Sequence, residues 1–297
     1  MQNTVIIDGK AISSAIKEEV RTQAAELKSQ HGIVPGLAFL LVGDNPASQS
    51  YVRSKERACE FCGFHSSTVT MPASATEQEI LARIDAWNID PDIHGILVQL
   101  PLPDHVNEDR VIEAISPRKD VDGFHPVNVG KLVIGQEAFH PCTPAGIQEL
   151  LIRSGIETAG KHVVVVGRSN IVGKPIANIL LQKAAGANAI VTIAHSAAGD
   201  ISVHTRMADI LIVATGRVNT VTADMVKDGV VVIDVGINRV EDATRERGYR
   251  IVGDVDFESV RERAFAITPV PGGVGPMTIA MLMRNTWRSA RRSAAGR

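Results

Sequence analysis

Aromatic side chains are scarce: Phe, Trp and Tyr make up 4% of the 297 residues. The interior must therefore be aliphatic, built from Val, Ile, Leu and Ala. Cysteine is scarce too. Cys59, Cys62 and Cys142 are an odd and small set of three, which argues against a disulfide framework and makes a reducing compartment, most simply the cytoplasm, the expectation. Charge of one sign is also missing. A formal net charge of −2 offers no electrostatic case for a nucleic-acid or membrane-surface partner. The one basic cluster, "RSARRSAAGR" at residues 288–297, reads as a solvated tail. No apolar run approaches the ~20 residues of a membrane span. The opening "MQNTVIIDGK" lacks the basic and apolar regions of a secretory signal. The nine histidines fall in no H-E-x-x-H or similar spacing, so no metal site is expected.

What remains is a chain long enough for roughly two domains, with 44% hydrophobic and 22% charged residues, as a soluble globular protein has. Strand-like and helix-like runs alternate. "TVIID", "LAFLLVG", "HSSTVTM" and "IHGILVQL" read as strands, and "LAFLLVG" is apolar throughout, as a strand buried on both faces would be. Between them, "NPASQSYVRSKERACEFCG" opens on Asn45-Pro46 and closes at Gly63, the start and stop signals of a helix. "TEQEILARIDAWN" reads as a helix behind a capping threonine. A Gly- and Pro-rich stretch then leads to a boundary near 140–160. Beyond it, "KHVVVVG", "AIVTIAH", "ADILIVATG" and "GVVVIDVG" repeat the alternation, and "MTIAMLMRNTWRSARR" reads as a closing helix. Strands alternating with helices predict an α/β fold on parallel sheets.

"VVVVGRSNIVGKP" (163–175) is strand, glycine turn and helix start, the context in which backbone amides and a helix N-terminus receive a pyrophosphate. Gly167 and Gly173 are six apart rather than the usual five, and Ser169 stands where a second glycine is common. An ordinary strand-to-helix turn is the alternative. The next strand ends in His195-Ser196 without the Asp or Glu that holds a ribose 2′-hydroxyl, the first acid being Asp200. Arg168 can instead pair with a 2′-phosphate. The expected cofactor is NADP rather than NAD.

Tyr51 and Lys55 stand four apart, one helical face. They resemble the Tyr-x-x-x-Lys pair of short-chain dehydrogenases, yet they precede the only glycine turn by more than a hundred residues, which argues against that reading. Two further polar residues are oddly placed. Gln99 interrupts the apolar run "GILVQLPLP" at the C-terminal end of a strand, where open α/β sheets bind ligands, and Asp122 sits in the turn-like "KDVDGFHP". Each is open to a structural reading, a satisfied amide and a turn-capping carboxylate. Cys59-x-x-Cys62 has no second ligand pair and falls late in its helix, so it reads as a buried face rather than a metal or redox site.

Together these stretches resemble the bifunctional methylenetetrahydrofolate dehydrogenase/methenyltetrahydrofolate cyclohydrolase family. The resemblance rests on "SYVRSKERACEFCG", "GILVQLPLP", "KDVDGFHPVNVGKL", "PCTPAG", "VVVGRSNIVGKP", "VIDVGINR", "GDVDF" and "TPVPGGVGPMTIAMLMRNT", in order along nearly the whole chain. It implies two α/β domains: a catalytic folate domain of residues 1–140 and 275–297, completed by a returning C-terminal helix, and a Rossmann-like NADP-binding domain of residues 141–274. It implies catalytic roles for Lys55, Gln99, Asp122 and Tyr51. Substrate contacts would come from Tyr51, Val98, Leu100, Pro271, Gly272 and Gly273, and cofactor contacts from Gly167, Arg168, Ser169, Ser196 and Ile237. It also implies an active site between the domains, tetrahydrofolate derivatives as the partners and a homodimer.

Overall fold

A computed structural model of the chain describes residues 4–245 and 248–295. In chain order the elements begin with β1 (Val5–Ile6), α1 (Gly9–His31), β2 (Gly36–Val42), α2 (Pro46–Cys62), β3 (His65–Met71), α3 (Glu77–Ile89), β4 (Gly95–Val98), α4 (Glu108–Ala114), α5 (Pro126–Val133) and α6 (Cys142–Arg153). They continue with β5 (His162–Val166), α7 (Gly173–Leu180), β6 (Ile190–Ala194), α8 (Ser202–Thr205), β7 (Ile210–Val213), β8 (Val231–Asp234), β9 (Asn238–Glu241), β10 (Tyr249–Val252), α9 (Phe257–Arg261), β11 (Ala266–Ile267) and α10 (Val274–Ala295).

The chain forms two units, each discontinuous in sequence: residues 14–142 with 279–297, and residues 1–13 with 143–278. The first is built on a three-stranded parallel sheet in the order β3-β2-β4. All seven residues of the central strand β2 are buried, as its unbroken apolar run requires. One face of the sheet carries Leu40, Val42, Ile96 and Val98 against Ile80, Ile84 and Trp87 of α3 and Val111 of α4. Helix α3 starts on a capping box: Thr76 Oγ1 accepts from the Glu79 amide at 3.3 Å, and Glu79 returns a carboxylate oxygen to the Thr76 amide at 2.7 Å.

The second unit is a six-stranded parallel sheet in the order β1-β11-β8-β7-β5-β6. Val163, Val164 and Val165 of β5 are fully buried between β6 and β7. Chain order reverses at the β5–β7 pair, which creates the crevice where such sheets bind ligands, at the carboxyl ends of the strands. A separate antiparallel hairpin, β9–β10, follows β8.

The run "TVIID" forms β1, in which Val5 and Ile6 pair in parallel with Ala266 and Ile267 of β11 at the edge of the six-stranded sheet. A two-residue strand carries no periodicity that could name its partner. The basic "RSARRSAAGR" is not a solvated tail, because α10 continues through Ala295. Ala290 is fully buried in a cluster with Leu27 and Ile33, flanked by Trp287 and Ala294, while Arg291 and Arg292 lie on the exposed side of an amphipathic helix. Gly296 and Arg297 lie outside the described residues.

Candidate active site

The sequence folds three polar side chains into one cluster at the carboxyl end of the three-stranded sheet. Lys55 comes from α2, which starts behind Asn45, whose Oδ1 accepts from the Ser48 amide at 3.3 Å. Gln99 directly follows β4, and its backbone amide extends the ladder to Leu40 O at 2.9 Å. Asp122 lies in the turn that directly follows Asp120, whose bridge to Ile96 ties this segment in parallel to β4. Lys55 Nζ donates to Gln99 Oε1 at 2.9 Å, and Gln99 Nε2 donates to Leu100 O at 2.7 Å, so the amide is oriented with its oxygen toward the amine. Tyr51 sits one turn before Lys55 and is 47% exposed, leaving its ring open to a ligand.

Electrostatics within the cluster are mutual. Burial holds the Lys55 amine below the ordinary lysine value, while the Asp122 carboxylate and the Cys142 sulfur pull it the other way. Burial likewise lifts the Asp122 carboxyl, and the Lys55 cation opposes that rise. A half-buried amine whose proton is held less tightly than usual, beside a carboxylate, is suited to proton transfer.

Three residues that the sequence did not single out complete the site. Asp120 is buried and accepts from the backbone amides of Gly123, Phe124 and His125 at 3.0, 3.2 and 2.9 Å, and from Asn128 Nδ2 at 2.8 Å. Of the two aspartates in "KDVDG", Asp120 therefore folds the loop, while Asp122 meets the Lys55 amine and the Cys142 thiol. Cys142, buried at the start of α6, donates to Val121 O at 3.3 Å; burial first, and Asp122 second, push its thiol well above the ordinary range. Asn285 of α10 donates to Val121 O at 2.8 Å and His140 O at 3.2 Å, which anchors the peptide just before Asp122. The duplicated aspartate in "KDVDG" is the one signal in the sequence that could have pointed to Asp120.

The other candidates belong to the six-stranded unit. Gly167 ends β5 with φ of +125°, and a Cβ there would lie 2.2 Å from Ala214 O, so the turn requires glycine. A Cβ on Gly173 would lie 2.2 Å from Gly167 O, which presses the start of α7 against the turn. Ser169 Oγ accepts from the amides of Val172 and Gly173 at 3.2 and 3.3 Å and thereby shapes the helix entrance. Arg168 and Ser196 are exposed, and Arg168 has no ion-pair partner among the described residues. Asp200, the acid nearest the end of β6, is committed to Ser202, accepting from its amide at 2.8 Å and its hydroxyl at 2.9 Å. A free guanidinium, a hydroxyl and no available carboxylate fit a ribose that bears a phosphate.

Ile237 is exposed after β8, Val98 is buried, Leu100 is half-buried and Pro271 is exposed. Gly272 and Gly273 are buried, and Gly273 lies directly on Thr268 and Gly9, so these glycines first serve the chain's own packing. Cys59 and Cys62 are buried in α2, with Cys59 Sγ 3.9 Å from Met283 Sδ and the Cys62 thiol pushed up to about 12 by burial. That is the buried helix face and not a reactive pair. Among the described residues, no group of three or more His, Cys, Asp or Glu is arranged to hold a metal ion.

Residues 7–122 match the family model for the tetrahydrofolate dehydrogenase/cyclohydrolase catalytic domain, and residues 141–294 match that for its NAD(P)-binding domain. The bifunctional protein FolD of Syntrophus aciditrophicus (strain SB) is 61% identical over 290 residues, 98% of either chain. Among solved structures, the bifunctional FolD dehydrogenase/cyclohydrolase of Campylobacter jejuni is 53% identical with a TM-score of 0.92, over 97% of this chain and 99% of that one. The Trypanosoma brucei FolD, solved with NADP and an inhibitor, is 42% identical with a TM-score of 0.93 over 99% of both chains. With both family models matched in order and relatives identical at more than half their positions, the chain belongs to the tetrahydrofolate dehydrogenase/cyclohydrolase family.

Proposed function

We propose that this protein oxidises 5,10-methylenetetrahydrofolate with NADP+ to 5,10-methenyltetrahydrofolate and hydrolyses that product to 10-formyltetrahydrofolate. The observation that carries the reading is the 2.9 Å Lys55–Gln99 pair, electrostatically coupled to Asp122 at the carboxyl end of a parallel sheet.

Each residue has a task set by its chemistry. The edge of a reduced pterin presents adjacent N–H and NH2 donors, and the Asp122 carboxylate can accept both in the bidentate geometry of strong charge-assisted bonds. Tyr51 offers an aromatic face to the pterin or aminobenzoyl ring. When bound, the nicotinamide supplies the carbon that accepts a hydride from the bridging methylene. The methenyl product is a cation that water attacks. In its unprotonated form Lys55 takes one proton from that water and returns it to the ring nitrogen as the carbon–nitrogen bond opens; the remaining hydroxyl proton leaves to solvent as the formyl carbonyl forms, so one proton is released overall. Gln99 holds the amine in the orientation this requires. Val98 and Leu100 flank Gln99, and Pro271, Gly272 and Gly273 form the second set of folate contacts in this reading. Gly167 and Ser169 receive the pyrophosphate, Arg168 and Ser196 the 2′-phosphate, and Ile237 lies against the nicotinamide half. Residues 14–142 with 279–297 act as the folate domain, and residues 1–13 with 143–278 as the NADP domain.

The family resemblance extends the proposal to a cytoplasmic homodimer. No helix among the described residues is long and apolar enough to cross a membrane, and all three cysteines are free. Sedimentation equilibrium tests the dimer. The activity is tested by mixing the protein with 5,10-methylenetetrahydrofolate and NADP+ and following NADPH absorbance, then the loss of methenyl absorbance. Absence of NADPH would overturn the reading. Arg168→Ala should raise the Kd for NADP+ tenfold or more and leave that for NAD+ within twofold; equal losses would remove the arginine from 2′-phosphate recognition.

A further inference from the structure

The six-stranded unit buries two carboxylates that form no ion pair among the described residues. Asp234 closes β8 at 3% exposure, and Asp254, just past β10, is not exposed at all. Among the described residues, their hydrogen-bonding partners are amides and hydroxyls. Asp234 accepts from the amides of Gly236, Asp254 and Val255 at 2.9, 2.9 and 3.0 Å. Asp254 Oδ2 accepts from the Thr215 amide at 2.6 Å, the Thr215 hydroxyl at 3.0 Å and the Gly216 amide at 2.9 Å. Its other oxygen accepts from Asn238 Nδ2 at 2.8 Å. The backbone leaves room for both groups: a Cβ on Gly253 would lie 1.8 Å from Asp234 Oδ2, and one on Gly236 would lie 2.2 Å from Asp254 Oδ1.

Burying carboxylates side by side is costly, and burial lifts the Asp234 carboxyl to about 6. What the pair holds is specific. Thr215 and Gly216 follow β7, Gly236 to Asn238 follow β8, and Thr268, whose hydroxyl accepts from the Asp234 amide at 2.8 Å, begins the run to Gly273 after β11. These are three adjacent loops at the carboxyl ends of strands, on the β7 side of the point where chain order reverses. The adenosine-side candidates Arg168, Ser169 and Ser196 follow β5 and β6, on the other side. A dinucleotide lies across such a reversal with one half on each side.

We infer that Asp234 and Asp254 are positioning residues for the nicotinamide half of the cofactor: they tie the Thr215–Gly216 turn to the Gly236–Asn238 loop and so fix the shelf that presents Ile237. This rests on the NADP reading above. Asp254→Asn keeps the side-chain shape but cannot accept all of the present donors. Calorimetry on the full-length protein should show the Kd for NADP+ raised tenfold or more, with that for 2′,5′-ADP, which carries only the adenosine half, unchanged within twofold. A merely structural role would weaken both ligands alike. Asn238→Ala removes one tie from a half-buried position and should give the same selectivity at about threefold, which keeps the test open where Asp254→Asn fails to fold. Equal loss of both ligands, or loss of neither, would overturn the inference. A wild-type protein that binds neither ligand would instead overturn the NADP reading, and this inference with it.

Discussion

Lys55 and Asp122 act on each other's protonation. Burial lowers the amine and raises the carboxyl, and each opposite charge resists the other's shift. Lys55→Met removes the proton-transfer group, so hydrolysis of the methenyl compound should fall about 10²–10⁴-fold, the usual range for such groups, with the Kd for NADP+ unchanged. Unchanged hydrolysis would remove Lys55 from the mechanism. The same variant deletes the cation that holds Asp122 down, so that carboxyl should rise further. Asp122 must be ionised to accept both pterin donors. As pH is lowered, the KM for 5,10-methylenetetrahydrofolate should therefore begin to climb at a higher pH in Lys55→Met than in the wild type. Coincident profiles would mean that the two groups do not interact. In the sequence, Gln99 and Asp122 draw notice as polar residues at an apolar strand end and in a turn, Lys55 through its spacing of four from Tyr51, and the family resemblance is what gathers the three. Asp120 and Asn285 do not stand out. Asp120 looks like its neighbour Asp122 until the loop closes on it, and Asn285 finds Val121 O across 164 positions, a pairing that local pattern does not carry.

At the scale of elements, periodicity finds the long helices and the apolar strands and says less about their ends and partners. β2 is readable as a doubly buried strand from its composition alone, whereas β1 and β11 are two-residue pairings that exist only because the sheet is already there. The last helix shows the same limit. Four arginines within residues 288–297 look like a solvated tail, yet every third or fourth residue of this stretch turns inward. Ala290 is fully buried against Leu27 and Ile33. Ala290→Asp should therefore cost about 3 kcal/mol or more, in the range of unpaired buried charge. Denaturant unfolding checks this. A loss below about 0.5 kcal/mol, as for an ordinary surface change, would restore the tail.

For the whole molecule, the consequence lies in how the chain is shared. Each unit takes residues from both sides of the other in sequence, so neither is a simple half. Composition and the Gly-Pro-rich stretch place a boundary near 140 but not the return of α10 or the departure of residues 1–13, since both depend on pairing between distant parts of the chain. The three-stranded unit is completed only by residues 279–297, which supply Met283 beside Cys59, Asn285 beside the Asp122 loop and Ala290 in the apolar cluster. All six strands of the other sheet, with Gly167, Arg168 and Ser169, lie within residues 1–13 and 143–278. Deleting residues 279–297 should therefore abolish hydrolysis of the methenyl compound, by more than about 10²-fold, since the supports of Asp122 and of the Lys55 helix are lost together. Binding of 2′,5′-ADP should survive within about threefold, because its candidate site keeps every strand it stands on. Loss of 2′,5′-ADP binding in parallel with hydrolysis would show that the six-stranded unit does not hold its fold without the helix. Hydrolysis at the wild-type rate would show that α10 plays no part in forming the folate site.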